Sequence, residues 1–325
     1  MCAEVQPDPL TTMAIGAQID CNKPSDRIES TMNMKQLRSR NRRSLLALAA
    51  LATDQFHSAV TSGVDMVMFD LEDSTVASRK DEARQTLMEY LQTSAPAAGG
   101  ALRVVRINTP RCLDGLRDLD ALASCRIPPD GVVIPKVAHP EEVRWVDDLL
   151  CGNHPQLELI PLLETPAGIA SATCVARASE RVSALFLGSV DLSGELGSDM
   201  SWDALCSARG VLVRAAAEAG VDSIDGPFLD VDDTAGLDAE VARVAALGFT
   251  GKALYDLGQR DAIHKAFTPS DAAIAAAERV IQAVQSSPVG AARVDGKPVN
   301  KANLKAAERL LTLAARRGVL RGRDV

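Results

Sequence analysis

Residues 131–165 read GVVIPKVAHPEEVRWVDDLLCGNHPQLELIPLLET. Two apolar runs, Val132–Val137 and Leu157–Leu163, flank a segment with helical spacing, Pro140–Leu150. Apart from Lys136 and Glu158, both runs are continuously apolar instead of apolar at every second residue, which is typical of strands that are covered on both faces. The stretch therefore predicts a strand, a helix and a second strand in one repeated unit.

The same unit recurs along the chain from Arg40 onward, with Ala-rich helical segments between the strands. The strand candidates are Ser44–Leu48, Met66–Leu71, Leu102–Ile107, Val132–Val137, Leu157–Leu163, Ala184–Gly188, Ser223–Phe228 and Lys252–Tyr255. The helix candidates include Ser78–Gln92, Pro140–Leu150, Pro166–Ala178, Trp202–Ala219 and Leu237–Leu247. Eight strands in strict alternation favour an α/β fold, the closed (β/α)8 TIM barrel, over a doubly wound open sheet.

The ends of the chain differ from this pattern. Residues 1–37 have no helical or strand period and are predicted to be a disordered tail, and residues 38–268 form the predicted barrel. Residues 269–325 are predicted to be a C-terminal helical extension, with helices near Ser270–Gln285 and Lys301–Arg317. The apolar stripe of the last helix requires a partner, and three are open: the barrel mouth as a lid, a neighbouring subunit, or the wall of its own barrel.

Composition excludes several classes of protein. The chain has 325 residues with 46% apolar side chains, which suits one barrel-sized soluble domain or two smaller ones. Its formal net charge of -8 argues against nucleic acid or an anionic membrane as a partner. Its seven cysteines form no CxxC pair and no Cys/His cluster at zinc spacing, so a cytoplasmic protein is expected. The longest apolar run near the front, Leu45–Ala52, is far shorter than a membrane span.

Acidic residues follow three of the predicted strands. Barrel enzymes carry their reacting groups at the C-terminal strand ends, where this chain has Asp70-Leu71-Glu72-Asp73, Glu164 and Gly188-Ser189-Val190-Asp191. Glu164 and Asp191 follow neighbouring strands, so their oxygens could converge on one Mg2+, which takes one or two protein carboxylates. The alternative is that each of these acids caps the helix that follows it.

Two cations follow the strands between these acids. Alternation along the third strand points Arg106 into the barrel mouth, where it needs either carboxylate partners or an anionic ligand. Lys136 follows the fourth strand, and so many nearby carboxylates should keep it protonated, which argues against a Schiff base. The histidines fall in predicted helices or loops and are expected to be surface groups: His57, His139, His154 and His264.

Seven blocks of sequence, in order, make residues 42–311 similar to a known family. That family is the citrate lyase β-subunit family within the HpcH/HpaI aldolase superfamily. The blocks are Arg43–Leu46, Ser62–Asp65 with Phe69–Asp73, Val105–Asn108, Gly131–Val137, Ile160–Thr165, Gly188–Leu192 and Leu229–Asp233.

The resemblance implies a Mg2+ enzyme that cleaves or condenses 2-hydroxyacyl thioesters or related hydroxy acids. It implies that Glu164 and Asp191 bind the metal, that Arg106 holds a carboxylate or enolate oxygen of the substrate, and that Glu72 and Asp73 bind the waters of the metal. The predicted substrate contacts also include Lys136, Gly188, Ser189 and Val190. Many members of the family are trimers or hexamers in which the C-terminal segment of one subunit covers the site of the next.

Three departures from the family pattern affect the substrate. The Pro-Gly turn that follows the first strand is replaced by Ala47–Ala52, an Ile-His-Pro stretch by Tyr255–Gly258, and the aspartate of the lid by Asn300. An amide cannot accept a proton as a carboxylate does. The predicted substrate is therefore a free 2-oxo or 2-hydroxy acid. The alternatives are an acyl-CoA lyase of the malyl-CoA or citramalyl-CoA type, and a ligand-binding relative without turnover.

Overall fold

Eight parallel strands close into a barrel in the computed structural model of the chain, which describes residues 39–94 and 100–320. The strands pair in chain order and β1 pairs with β8, so the predicted (β/α)8 barrel is confirmed. They are β1 Ser44–Ala49, β2 Met66–Asp70, β3 Leu102–Arg106, β4 Gly131–Ile134, β5 Glu158–Leu163, β6 Ala184–Leu187, β7 Asp222–Asp225 and β8 Gly251–Leu254. The predicted tail, residues 1–37, lies outside the described residues.

Helices follow the strands and cover the outside of the barrel. They are α1 Thr53–Val60, α2 Lys80–Thr93, α3 Leu113–Ala123, α4 Pro140–Cys151, α5 Pro166–Ala170, α6 Ala172–Ala176, α7 Ser189–Leu196, α8 Trp202–Ala219, α9 Thr234–Leu247 and α10 Arg260–Ala266. The helix predicted over Pro166–Ala178 is broken at Ser171 into α5 and α6. None of the helices in the described ranges has the length and apolar content that crossing a bilayer requires.

Alternation along each strand produces two apolar layers. Side chains such as Met66, Met68 and Ile160 fill the inside of the barrel, whereas Val67 and Phe69 pack outward against the helices. Because both faces of most strands are buried, most strand positions are apolar instead of alternating, although β7 reads Asp222-Ser223-Ile224-Asp225. Several strands end earlier than predicted because the apolar run continues into the following turn, as at Val137, which is fully buried beyond the end of β4.

Strand β5 carries a charged group at each end of the barrel. Glu158, Ile160, Leu162 and Glu164 share one face by alternation, and both glutamates are about 1% exposed. At the N-terminal end of the strands, Glu158 binds the buried Arg42, with 2.6 Å between Oε2 and Nη2. Glu164 lies at the C-terminal end, where barrel enzymes place their active sites.

The C-terminal extension consists of α11 Asp271–Gln285, the hairpin β9 Ala291–Val294 and β10 Lys297–Asn300, and α12 Lys301–Arg316. Helix α12 packs on α11 and is anchored at the N-terminal end of the barrel, where Arg316 binds Asp222 and Arg317 donates to Thr250 O. These contacts lie at the end of the barrel opposite Glu164. A role in covering the site of a neighbouring subunit stays a prediction.

Candidate active site

Charged side chains from four neighbouring strands meet at the C-terminal end of the barrel. They are Asp70 at the end of β2, Glu72 after it, Arg106 at the end of β3, Lys136 after β4 and Glu164 after β5. The register pairs Asp70 with Arg106 across β2 and β3. All of the predicted site residues on these strands are therefore brought to the same end of the barrel.

Arg106 is held by a carboxylate on the neighbouring strand. Its Nε and Nη2 donate to the two oxygens of Asp70, each at 2.7 Å. Its Nη1 lies 3.3 Å from Oε2 of Glu72 and 3.7 Å from Oδ2 of Asp73. Burial lowers the pKa of Arg106, but the hydrogen bonds and charge of Asp70 outweigh it, so the pKa is raised and the guanidinium stays charged. Asp70 therefore occupies the edge of the guanidinium formed by Nε and Nη2, and Nη1 faces Glu72 and Asp73.

The role of Asp70 was missed by the sequence reasoning, which assigned functions only to the acids that follow it. Asp70 accepts two hydrogen bonds from Arg106 and one each from the backbone N–H groups of Glu72 and Ser74, at 2.8 and 3.0 Å. A usable signal exists in the sequence: Asp70 continues the inward-facing series of Met66 and Met68 on a strand that neighbours the one carrying Arg106.

Lys136 connects two acids of the site through different parts of one residue. Its backbone N–H donates to Oε1 of Glu164 at 2.8 Å, and its Nζ lies 2.7 Å from Oε1 of Glu72 and 3.5 Å from Oδ1 of Asp73. Its backbone has a φ of 53°, in the left-handed region that residues other than glycine rarely adopt. Burial lowers the pKa of Lys136, but the hydrogen bond and charge of Glu72 outweigh burial, so the pKa is raised. This agrees with the expected protonated amine.

Glu164 is buried beside other negative charges. Burial, followed by the charges of Glu72 and Asp191, raises the pKa of Glu164 to about 8. Its side chain fits only because residue 188 is glycine: a Cβ there would lie 2.4 Å from Cβ and 2.5 Å from Oε2 of Glu164. A carboxyl group whose ionised form is disfavoured by burial and by like charges is the kind that a cation stabilises.

The donor set suits Mg2+ better than a closed transition-metal site. Glu164 and Asp191 are two hard oxygen donors, and the residues that the structure describes contain no group of three or more His, Cys, Asp and Glu arranged to hold a metal. Mg2+ keeps several waters and needs only one or two carboxylates, whereas structural zinc needs four protein ligands. Oε2 of Glu72 is buried without a hydrogen bond and has the guanidinium of Arg106 3.3 Å away as its charged neighbour.

The alternative role of these acids as helix caps is wrong. Thr165, not Glu164, caps α5, and its side chain accepts from Gly168 N. Helix α7 has Gly188 at its N-cap and Asp191 within its first turn. The 3-10 turn Ala77–Arg79 and helix α2, which follow Glu72 and Asp73, have no side-chain cap. None of these four acids therefore caps the helix that follows it.

The predicted contacts after β6 lie at the start of α7. Ser189 is buried, and its Oγ has no hydrogen-bond partner within the described ranges. A Cβ at Gly226 would lie 2.1 Å from this Oγ, so Gly226 leaves room for the hydroxyl. Val190 is half exposed. A helix N-terminus with an unpaired hydroxyl is a suitable place for a carboxylate.

Two of the four histidines, His57 and His139, are exposed as expected, whereas the other two are not. His154 is buried, with its Nε2 2.8 Å from Leu122 O, so the expectation of a surface group is wrong there. Nε2 of His264 lies 2.7 Å from Oγ of Ser44 and 3.9 Å from Oδ1 of Asp65. Because both contacts use the same ring nitrogen, these three residues do not form a relay of the serine-hydrolase type.

Comparisons with known proteins agree on one family. The family described as HpcH/HpaI aldolase/citrate lyase matches residues 43–256. Citrate lyase subunit beta from Escherichia coli (strain K12) is 29% identical over 299 residues, which cover 88% of this chain and 98% of that protein. Citramalyl-CoA lyase, mitochondrial, from Homo sapiens is 31% identical over 270 residues, which cover 77% of this chain and 79% of that protein. The crystal structure of CitE from Mycobacterium tuberculosis with magnesium, acetoacetate and coenzyme A matches with a TM-score of 0.70 and 28% identity, over 85% of this chain and 99% of that chain.

Proposed function

The chain belongs to the HpcH/HpaI aldolase/citrate lyase family, and from this premise we propose that it is a Mg2+-dependent carbon–carbon lyase of the citrate lyase β-subunit-like type. It cleaves or forms a bond next to the carboxylate of a free 2-oxo or 2-hydroxy acid. The observation that carries the proposal is the buried Glu164, whose ionised form is disfavoured by burial and by the charges of Glu72 and Asp191, at the same barrel end as Arg106.

Glu164 and Asp191 are the residues that would hold the metal. When bound, Mg2+ polarises the carbonyl of the substrate and compensates the negative charge that develops on its oxygen. The solved CitE of Mycobacterium tuberculosis was crystallised with magnesium together with acetoacetate, oxaloacetate or pyruvate. In this chain, two hard oxygen donors support Mg2+: Glu164 directly after β5 and Asp191 in the first turn of α7.

The other residues bind and orient the substrate. Arg106 presents Nη1 to a developing enolate oxygen, while Asp70 keeps its other edge fixed. The first turn of α7, with Gly188, Ser189 and Val190, receives the carboxylate. Glu72 and Asp73 accept hydrogen bonds from waters of the site, and Lys136 balances their charge.

Two single variants test this function, one at Glu164 directly after β5 and one at Asp191 in the first turn of α7. We expect Glu164→Gln and Asp191→Asn to abolish Mg2+ binding in calorimetry and to lower kcat/KM for the best acid of a 2-oxo and 2-hydroxy acid panel about a hundredfold or more. Glu195→Gln, an exposed change one turn after Asp191 on α7, is the matched control and should leave both unchanged. Wild-type protein that binds no Mg2+ would contradict the proposal.

An acyl-CoA lyase of the malyl-CoA or citramalyl-CoA type is the second candidate. The relatives favour it, since one is the human citramalyl-CoA lyase and another is the L-malyl-CoA/beta-methylmalyl-CoA lyase of Cereibacter sphaeroides. The altered turn after β1 favours the free acid. Melting curves with acetyl-CoA, malyl-CoA and malate separate the two, because a ligand that binds the folded state raises its melting temperature.

A ligand-binding relative without turnover is the third candidate. Asn300, which replaces the lid aspartate of the family pattern, caps α12: its Oδ1 accepts from Ala302 N, while Asn303 Oδ1 accepts from Asn300 N. Its amide therefore has a structural use. Binding of Mg2+ and an oxo acid without turnover of any acid or thioester would favour this candidate over the other two.

We also propose a cytoplasmic homotrimer or hexamer. Helix α12 supports it, because its apolar stripe is only partly covered by the chain itself: Ala307 and Ala314 are buried, whereas Leu304, Leu310 and Leu311 are half-buried. In such an assembly the extension of one subunit would lie over the barrel mouth of the next.

A further inference from the structure

We propose that Asp70 is a positioning residue of the lyase site, which fixes both the guanidinium of Arg106 and the loop that carries Glu72 and Asp73. The inference rests on the proposed function for its kinetic consequences. Its structural basis is a single buried carboxylate, 3% exposed, at the last position of β2.

The first task of Asp70 is to fix Arg106. Two parallel hydrogen bonds of 2.7 Å hold the guanidinium in one plane, a geometry that only a carboxylate gives. Competing acids lie close by, since Nη1 is 3.3 Å from Glu72 and 3.7 Å from Asp73. Without Asp70, these acids would draw the guanidinium away from the orientation that faces the substrate.

The second task is to fix the loop after β2. Oδ1 of Asp70 accepts from Glu72 N and Oδ2 accepts from Ser74 N, at 2.8 and 3.0 Å. Lys80 binds two backbone carbonyl groups of the same loop: its Nζ donates to Leu71 O at 2.7 Å and to Glu72 O at 2.5 Å. Two N–H groups of the loop are thus bound by Asp70 and two carbonyl groups by Lys80. These four hydrogen bonds fix the backbone position of Glu72.

Asp70 acts through these neighbours and not on the substrate. A carboxylate offers about four acceptor sites. In Asp70 each oxygen already accepts two hydrogen bonds, one from Arg106 and one from the loop. Asp70 therefore has no lone pair left for a metal or a reacting proton. In an asparagine at this position, the NH2 group would face two donors, one from Arg106 and one from the backbone of the loop.

The same strand supplies a matched control. Asp65 precedes β2 at the opposite end of the barrel and also binds an arginine with both oxygens, at 2.9 Å to Nε and 2.8 Å to Nη2 of Arg43. Asp65→Asn therefore breaks the same kind of pair far from the site. We expect Asp70→Asn to lower kcat at least about tenfold with a smaller change in KM, and Asp65→Asn to leave kcat within about twofold.

A double-mutant cycle separates positioning from general damage to the fold. If Asp70 acts by orienting Arg106, Asp70→Asn should lower kcat by less than about threefold in an Arg106→Met background. If the loss of kcat in the double variant equalled the product of the losses in the two single variants, the proposal would be overturned. A wild-type kcat in Asp70→Asn would also overturn it. Asp70→Glu, which keeps the charge but displaces it, serves if the asparagine variant does not fold, and wild-type kcat in that variant would also overturn the proposal.

A crystallographic comparison is independent of the lyase assay. In Asp70→Asn we expect the guanidinium of Arg106 to turn toward Glu72 and Asp73 and the loop after β2 to shift. Unchanged positions would overturn the inference. If the wild-type enzyme turned over no acid, the proposed function would fail, while this comparison would still decide the role of Asp70.

Discussion

Lys136 shows how one residue couples two acids of the site. Its backbone has a positive φ and donates its N–H to Glu164, and its ammonium reaches Glu72. A left-handed backbone at a residue with a side chain costs about 1 kcal/mol or more, so the surrounding contacts must hold it there. Arg111 is one of them, with Nη2 donating to Lys136 O at 2.9 Å.

The fit of Glu164 against Gly188 gives a prediction at the residue scale. We expect Gly188→Ala to displace Glu164, because the new Cβ would lie 2.5 Å from its Oε2, and therefore to weaken Mg2+ binding at least about tenfold. Calorimetric titration with Mg2+ measures it. Gly194→Ala on the same helix α7 is the control, since a Cβ there meets nothing within 4 Å. If Gly188→Ala and Gly194→Ala bound Mg2+ equally well, then the space that Gly188 leaves for Glu164 would not be what Mg2+ binding requires.

The loop and strand elements separate stability from chemistry within one barrel. Strand β5 places Glu158 in a buried ion cluster at its start and Glu164 in the active site after its end. In the cluster, Arg42 also binds Asp222 at 3.0 Å, and Arg316 of α12 binds the same carboxylate. A buried pair of this kind is costly to break from one side, because the partner charge is left without compensation.

This cluster predicts a pH dependence of stability at the scale of the element. Burial raises the pKa of Asp222, but the hydrogen bonds and charge of Arg316 and the charge of Arg42 outweigh it and hold the pKa below its usual range. The ion pairs therefore stabilise the fold fully above the ordinary Asp pKa, near 4, and the stabilisation is lost as the pH falls through the lower folded value. We expect Asp222→Asn to cost about 3 kcal/mol at neutral pH and less below about pH 4.

Urea unfolding across pH 3 to 7 measures the difference between wild type and Asp222→Asn. Asp203→Asn, an exposed change in the first turn of α8, should lower stability only slightly at every pH. A difference for Asp222→Asn that stayed constant, or that grew toward acid pH, would contradict the direction of the pKa shift.

At the scale of the whole molecule, charge and the extension determine what the barrel meets. A net charge of -8 repels anions at long range, so the proposed anionic substrate requires a local positive charge, for which Arg106 and Lys136 are the candidates. The extension is anchored through Arg316 and Arg317 at the opposite end of the barrel. Within one chain, therefore, the last turn of α12 does not reach the acids of the site.

The assembly gives the prediction at this scale. We expect light scattering to yield a mass of three or six times the 34.4 kDa of one chain, because α12 leaves half-buried leucines for a partner. Dilution to about micromolar concentration should not change the mass if the interface is a standard stable one. A monomer throughout that range would contradict the proposed trimer or hexamer.

The sequence by itself determined the barrel and which end of it receives Arg106, Lys136 and Glu164. Apolar runs and helical periods are local patterns, and strand direction alone fixes which end receives Arg106 and Glu164. Only the tertiary structure decided that Asp70 holds Arg106, that the backbone of Lys136 holds Glu164, and that α12 is anchored at the far end. These contacts join residues distant in the chain, and their geometry depends on the register and closure of the barrel, which no local pattern specifies.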